Sequence, residues 1–226
     1  MKSFVNYIEE GVNDPAIFKA VFMAGGPGSG KSFIVGKTAL TAFGLKLINS
    51  DDIFERALAK AGMEPTPEDI FSKKGQAIRG GAKALTAKKQ EIALSGKLGL
   101  IIDGTGKDYE KIKKQKDDLN RLGYDTLMIF VNTNIETALK RNRMRKRSLA
   151  DDAVKKMWQG VQDNMGKFQS LFREDFIILD NSENQDVEKS TMRVYRYASK
   201  WTKKGHQNQV ARKWIEAQKK SRGIRR

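Results

Sequence analysis

The chain has 226 residues, 43 Lys plus Arg against 27 Asp plus Glu, a formal net charge of +16, 39% hydrophobic residues, 4 Pro and no Cys. That length suits one α/β domain with a sizeable core, or such a domain with an appended segment, and the composition is that of a packed chain. The lack of Cys excludes disulfide scaffolds, thiolate metal sites and a cysteine nucleophile, and the acid-containing opening MKSFVNYIEEGVNDP argues against a signal peptide or a membrane span, so the cytoplasm is the expected compartment.

Residues 1–18 are expected to form an N-terminal helical segment, with Gly11 as its stop and Pro15 as a break, available to pack on the core or to dock a protein partner. KAVFMAGG, from Lys19, is a compact apolar run closed by glycines, which fits a buried parallel strand leading into a phosphate-binding turn. Lys31 to Phe43 reads as a helix. LKLIN reads as a second strand, followed by a helix from Ile53 to Ala61 and a surface loop at GMEPTPED. Residues 75–95 read as a long helix in which Gly80 and Gly81 suggest a close approach or a kink.

KLGLIID is a third strand, KDYEKIKKQKDDLNRLG a charged helix stopped by Gly123, and YDTLMIFVN a fourth strand. NIETALKRNRMRKRS starts as a helix and turns basic, LADDAVKKMWQGVQDNMGKFQSLF is a further helix, and DFIILD is a fifth strand. Alternation of strand and helix predicts a doubly wound, mostly parallel sheet of about five strands with helices on both faces, spanning residues 19–182. Residues 183–226 read as a basic helical C-terminal extension. From Lys189 to Arg226 there are 13 Lys plus Arg against the single Glu216, a net of +12 out of +16. Such a segment favours phosphate backbones through counterion release. Trp201 and Trp214 within it read as packing anchors more readily than as base-stacking platforms. His206, the only histidine, reads as a surface residue.

The strongest chemical signal is GGPGSGKS, in which Gly25, Gly26, Pro27, Gly28, Ser29, Gly30, Lys31 and Ser32 match G-x-x-x-x-G-K-[ST] between a strand and a helix. Glycines let backbone N–H groups converge on phosphate oxygens. Lys31 is expected on the β- and γ-phosphates of ATP or GTP, and the Ser32 hydroxyl on Mg²⁺. Asp103 ends the third strand, where a carboxylate holds Mg²⁺ through water, binds substrate, or merely opens an Asp-Gly turn. Asp51 and Asp52 follow the second strand, Asp51 suited to a general base and Asp52 to a helix N-cap, roles that a one-residue slip in register would exchange. Of the basic run Arg141, Arg143, Arg145 and Arg147, at most two or three share one helical face and reach phosphates.

GGPGSGKS, INSDD and LIIDGTGKDYEKIKKQKDDLNRLGYDTLMIFVN, followed by an Arg-rich segment, together resemble the zeta-toxin family of P-loop kinases, and the same order resembles phage polynucleotide 5′-kinase domains. The resemblance covers about residues 19–180 and implies transfer of the γ-phosphate of ATP or GTP to a hydroxyl acceptor such as that of a UDP-amino sugar. It places the general base on Asp51, lid arginines on Arg141 and Arg147, and substrate contacts on Asp103 and Thr105, with Asp103 one methylene shorter than the family's glutamate; Asp52, next to the base, is a further candidate for substrate contact. The alternatives are a kinase acting on nucleic acid ends or modified bases, which the C-terminal charge favours, and a nucleotide-binding structural or regulatory protein without turnover.

Overall fold

Lys19–Ala24 (β1) is buried from end to end because it lies at the centre of a five-stranded parallel sheet. The computed structural model describes residues 11–145, 148–183 and 185–223. The strand order is β2-β3-β1-β4-β5, with β2 Lys46–Ile48, β3 Leu100–Asp103, β4 Asp125–Asn132 and β5 Phe176–Asp180. Every pairing is parallel, which requires helical crossovers between the strands.

The helices are α1 Lys31–Lys37, α2 Ser50–Lys60, α3 Pro67–Phe71, α4 Lys73–Ser95, α5 Tyr109–Arg121, α6 Ile135–Arg143, α7 Asp151–Phe172, α8 Val187–Lys203 and α9 Gln209–Ser221. Alternation along the strands assigns their faces. Ala20, Phe22 and Ala24 of β1 join Met128 and Phe130 of β4 in one cluster, completed by Ile112 and Leu119 of α5, Val161 and Phe168 of α7 and Ala211 of α9. Val21 and Met23 join Leu127, Ile129 and Val131 on the other face, completed by Ile34 of α1 and by Val194, Ala198 and Trp201 of α8. A smaller cluster of Phe54, Leu58, Ile70 and Ala82 joins α2, α3 and α4 beside the sheet.

Residues 187–221 are thus packed into the same core as the strands, with α8 and α9 on opposite faces. Trp201 is buried, and Trp214 meets Phe18 edge-on with ring centroids 5.4 Å apart. Their basic residues, Arg193, Arg196, Lys203, Lys204, Arg212 and Lys213 among them, point outward. The α8–α9 link is tied down at the start of β4, where Asp125 accepts from the backbone N–H groups of Gln207 and Asn208, both at 3.1 Å, and from Lys19 Nζ at 2.9 Å. His206 is not a surface residue. Its side chain is 13% exposed and lies 3.7 Å from the same carboxylate, because the link folds it inward beside Phe18.

Several boundaries differ from the sequence expectation. Residues 11–13 are helical, so Gly11 is not a stop. The helix expected over 31–43 ends at Lys37: the Thr38 hydroxyl turns back to the Ile34 carbonyl at 2.6 Å, Ala39 takes φ +46°, and Leu40–Phe43 forms a separate 3₁₀ turn. The loop at 62–69 contains the start of α3, whose first residue is Pro67 and whose cap is Thr66, a position where proline's missing N–H is not needed. A Cβ on Gly80 or Gly81 would meet nothing within 4 Å, so this pair marks no close approach. No described helix is long and apolar enough to cross a membrane.

Candidate active site

The phosphate loop follows β1 at the C-terminal edge of the sheet and is held from three sides. Gly25 N–H donates to the Thr105 carbonyl at 3.1 Å. Trp158 of α7 lies against Gly26, its Nε1 donating to the Thr133 carbonyl at 2.8 Å. Asn181, just after β5, donates from Nδ2 to the Ser29 carbonyl at 2.7 Å. Three glycines here have no substitute, Gly25 because a Cβ on it would sit 2.6 Å from the Val131 carbonyl. Gly28 has φ +74° and a Cβ on it would sit 2.5 Å from the Ala138 carbonyl, while Gly30 has φ +84° and a Cβ there would run into Asn181 Nδ2. Gly30 caps α1, so Lys31 and Ser32 stand in its first turn, Lys31 half-buried and Ser32 exposed. Pro27 is half-buried, and the Ser29 hydroxyl is buried without a partner.

Lys31 folds back on its own loop, with Nζ donating to the Gly25 carbonyl at 2.7 Å. Burial holds its pKa below the ordinary lysine value; Asp103 and Asp51 oppose this, and Arg145 adds to it. The sheet register explains this gathering. Met23 pairs with Asp103 and Ile48 with Ile102, so the ends of β1, β3 and β2 stand in a row. Asn49, next after β2, therefore reaches Asp103, its Nδ2 donating to Oδ2 at 2.9 Å. The other carboxylate oxygen of Asp103 is buried without a hydrogen-bond partner. Burial raises the Asp103 pKa, Lys31 works against this, and Asp51 and Asp52 add to it.

Asp51 and Asp52 lie exposed in the first turn of α2. The helix begins at Ser50 and its cap is Asn49, whose Oδ1 accepts from Asp51 N–H at 2.7 Å. This corrects the reading of Asp52 as the cap: asparagine one residue after the strand already has the extended backbone that capping requires. Asp51 acts electrostatically on both Lys31 and Asp103, whereas Asp52 acts on Asp103 alone of the two.

The Gly104–Gly106 turn is pinned to β1 through Gly104 N–H to the Met23 carbonyl at 3.1 Å, and to α7 through Asn164 Nδ2 to the Gly106 carbonyl at 3.1 Å. Thr105 is half-buried, and beside it Asp103, Gly104, Asp108 and Lys111 line a cavity of about 180 Å³. The arginine run divides. Arg141 reaches the phosphate loop, Nη1 to the Gly28 carbonyl at 3.4 Å; Arg143 turns out to pair with Asp151; Arg145 comes within electrostatic reach of Lys31. Arg147 lies outside the described residues.

Asn49 and Asn181 escaped the sequence reading. Asn49 had a local signal, a good capping residue between a strand and an acidic first turn. Asn181 had none, because its role exists only once β5 is placed beside β4.

Comparison with known proteins gives the fold and the motifs a common source. The sequence pattern described as zeta toxin matches residues 10–190. Adenylate kinase isoenzyme 5 of Bos taurus is 31% identical over 139 residues, 59% of this chain, and the match spans only 24% of that protein's length. Among solved structures, that of the PezAT chromosomal toxin-antitoxin system of Streptococcus pneumoniae superposes with a TM-score of 0.52 at 15% identity, over 88% of this chain and 96% of that one. The AvrRxo1-ORF1:AvrRxo1-ORF2 structure with ATP superposes with a TM-score of 0.54 at 15% identity, over 80% of this chain and 63% of that one. These structural likenesses concern the fold, a P-loop kinase architecture; the sequence match covers the phosphate loop, both acidic strand ends and the arginine run alike. The chain belongs to the zeta toxin family.

Proposed function

We propose that this protein is a P-loop phosphotransferase that moves the γ-phosphate of ATP or GTP to a hydroxyl on a small acceptor. The observation that carries this reading is the convergence of Lys31, Asp103 and Asp51 at the C-terminal ends of β1, β3 and β2, in a chain otherwise dominated by positive charge.

In this reading the N–H groups of Gly28, Gly30, Lys31 and Ser32 cradle the phosphates. Lys31 releases the Gly25 carbonyl and moves to the β- and γ-phosphates, whose negative charge favours its ammonium form against the effect of burial. Asp51 accepts the proton of the acceptor hydroxyl and orients its oxygen for in-line attack. Its effect on both Lys31 and Asp103 favours it over Asp52, which is left to contact substrate. Arg141 and Arg145 neutralise charge on the transferred group, with Arg147 a further candidate.

The hydroxyl of Ser32 and the unpartnered oxygen of Asp103 are hard oxygen donors of the kind Mg²⁺ takes, and few protein ligands suffice because that ion keeps several waters. When bound, it would draw charge from the β- and γ-phosphate oxygens.

The cavity beside Asp103 and Thr105 supports a small acceptor, a nucleotide sugar being the one that family membership favours. A nucleic acid acceptor draws on the basic C-terminus, yet α9 packs on Phe18, at the edge of the sheet opposite the phosphate loop. The likeness to a toxin-antitoxin structure supports a protein partner as part of the reading.

The test incubates the protein with γ-labelled ATP and, separately, UDP-N-acetylglucosamine, 5′-hydroxyl DNA and 5′-hydroxyl RNA. Label is expected in the nucleotide sugar, and its appearance in DNA or RNA would move the assignment to the polynucleotide branch. Asp51→Asn should lower transfer by about 10²–10⁴-fold, the range of general base catalysis, while nucleotide binding is kept. Unchanged transfer in that variant would remove Asp51 from the role, and label in no acceptor would favour a nucleotide-binding regulator without turnover.

A further inference from the structure

One guanidinium near this site has no part in the chemistry above. Arg79 of α4 lies over the ring of Phe54 on α2, with Cζ 4.7 Å from the ring centroid. Its Nε and Nη2 are shut off from solvent without a hydrogen-bond partner. Arginines withdrawn from water are ordinarily paired with carboxylates or carbonyls, because a charged donor left unpaired forfeits its hydration. Here the contact that replaces hydration is an aromatic face, which stabilises the cation but takes up none of its N–H groups. Nε and Nη2 share one edge of the guanidinium, the edge that meets two oxygens of a phosphate or carboxylate side by side.

The position of this edge is informative. Lys89 Nζ donates to the Leu47 carbonyl at 2.8 Å, which places that part of α4 alongside β2. The C-terminal end of α4 leads back to the start of β3, so the helix runs antiparallel to the strands. Arg79 is ten residues before Lys89, about 15 Å further along the axis, and therefore beyond the C-terminal end of β2. Phe54 stands three residues after Asp51, on the same side of α2 and one turn on. The candidate base and the unpaired guanidinium thus flank one region beyond the strand ends, where ligands of open α/β sheets bind.

We propose that Arg79 is an acceptor-binding residue, holding an oxyanion, phosphate or carboxylate, on the molecule whose hydroxyl Asp51 activates. The acceptor role rests on the phosphotransferase reading; the binding of an anion at Arg79 does not require turnover. Such a contact selects acceptors carrying charge next to the reacting hydroxyl and rejects neutral sugars, whose binding would leave the guanidinium edge unpaired.

The experiment uses the full chain with labelled arginine nitrogens and the phosphate loop saturated by a non-hydrolysable ATP analogue. The Arg79 Nε–Hε resonance is identified by its loss in Arg79→Gln, and followed on titration with inorganic phosphate, acetate and neutral N-acetylglucosamine. A saturable shift is expected with at least one anion and none with the neutral sugar, and the anion binding more tightly names the group. No shift with either anion, or an equal shift with the neutral sugar, would overturn the proposal.

With an acceptor that the wild type phosphorylates, Arg79→Gln should raise the acceptor KM about tenfold to a hundredfold, the loss expected for charge-assisted hydrogen bonds, with little change in kcat. Arg79→Lys should recover part of this and serves if the Gln variant fails to fold. An unchanged KM would remove Arg79 from acceptor binding. An anion shift at Arg79 in a wild type that labels no acceptor would retain the oxyanion site and reject the phosphotransferase reading.

Discussion

Asp125 shows how much one buried carboxylate holds in place. Burial by itself raises its pKa, but the hydrogen bonds it accepts more than reverse this and hold it well below the usual carboxylate range. The His206 imidazole, 3.7 Å away, comes first among the influences that lower it, followed by Lys19 Nζ at 2.9 Å and the Gln207 N–H. Lys19 also rests 4.9 Å from the Trp201 ring centroid, so β1, β4, α8 and the link to α9 meet at one charge pair. A carboxyl whose folded pKa is depressed contributes stability above its ordinary value, about 3.9, and loses it as pH falls toward the folded value. Asp125→Asn is expected to destabilise the chain by about 3–5 kcal/mol at neutral pH, because Lys19 is left buried and uncompensated. It should also flatten the acid limb of a plot of unfolding free energy against pH, measured by denaturant titration. An acid limb as steep as that of the wild type would place the pH dependence elsewhere.

At the scale of elements, the β2–α2 junction decides which aspartate does what. Asn49 does two things: Oδ1 caps α2 through Asp51 N–H, and Nδ2 steadies Asp103. Asp51 is thereby held at a fixed point of the first helical turn, close to the ends of β1 and β3. Asn49→Ala should cost about 0.5–2 kcal/mol through the lost cap. It should also lower the rate of transfer, since both acids lose their support. Asp52→Ala, which removes no cap, should leave stability within about 0.5 kcal/mol. Denaturation curves of the two variants check the assignment, and a greater loss from Asp52→Ala would return the cap to that residue.

At the scale of the molecule, the chain from Val187 onward belongs to the packing of the sheet. Val194, Ala198 and Trp201 cover one face and Ala211 the other. A large side chain contributes about 1.5–3 kcal/mol on burial. A few of them therefore amount to much of the 5–15 kcal/mol that keeps a domain folded. A chain ending at Asp186 is expected to lack a cooperative unfolding transition, and Trp201→Ala to cost about 3–5 kcal/mol by calorimetry or denaturant titration. A truncated chain that unfolds cooperatively near the wild-type midpoint would instead make residues 183–226 a separable extension. The +12 charge between Lys189 and Arg226, whose described part lies on outward helix faces, then serves solubility or an outside partner and need not enter the chemistry at the strand ends.

The phosphate loop was legible from residues 25–32 alone, because its function depends on backbone conformation and on a lysine and a serine at fixed short spacing. The five strands were legible for a related reason: parallel strands buried on both faces read as continuous apolar runs, and helices between them leave few topologies. Asp51 and Asp103 could be singled out because Asp103 ends one strand and Asp51 follows closely on another, and strand ends collect at one edge.

What the sequence could not supply were contacts set by register and by distant segments. The pairing of Ile48 with Ile102 makes Asn49 a partner of Asp103, and the pairing of Asn132 with Asp180 brings Asn181 to Ser29 from 152 residues away. The stacking of Arg79 on Phe54, and the burial of Trp201 within what reads as a charged tail, belong to the same class. Local motifs encode the chemistry of the phosphates, since a few neighbouring residues suffice to shape a loop. The proposed acceptor contact at Arg79 and the support of each candidate catalytic group depend on long-range packing, which only the tertiary structure determines.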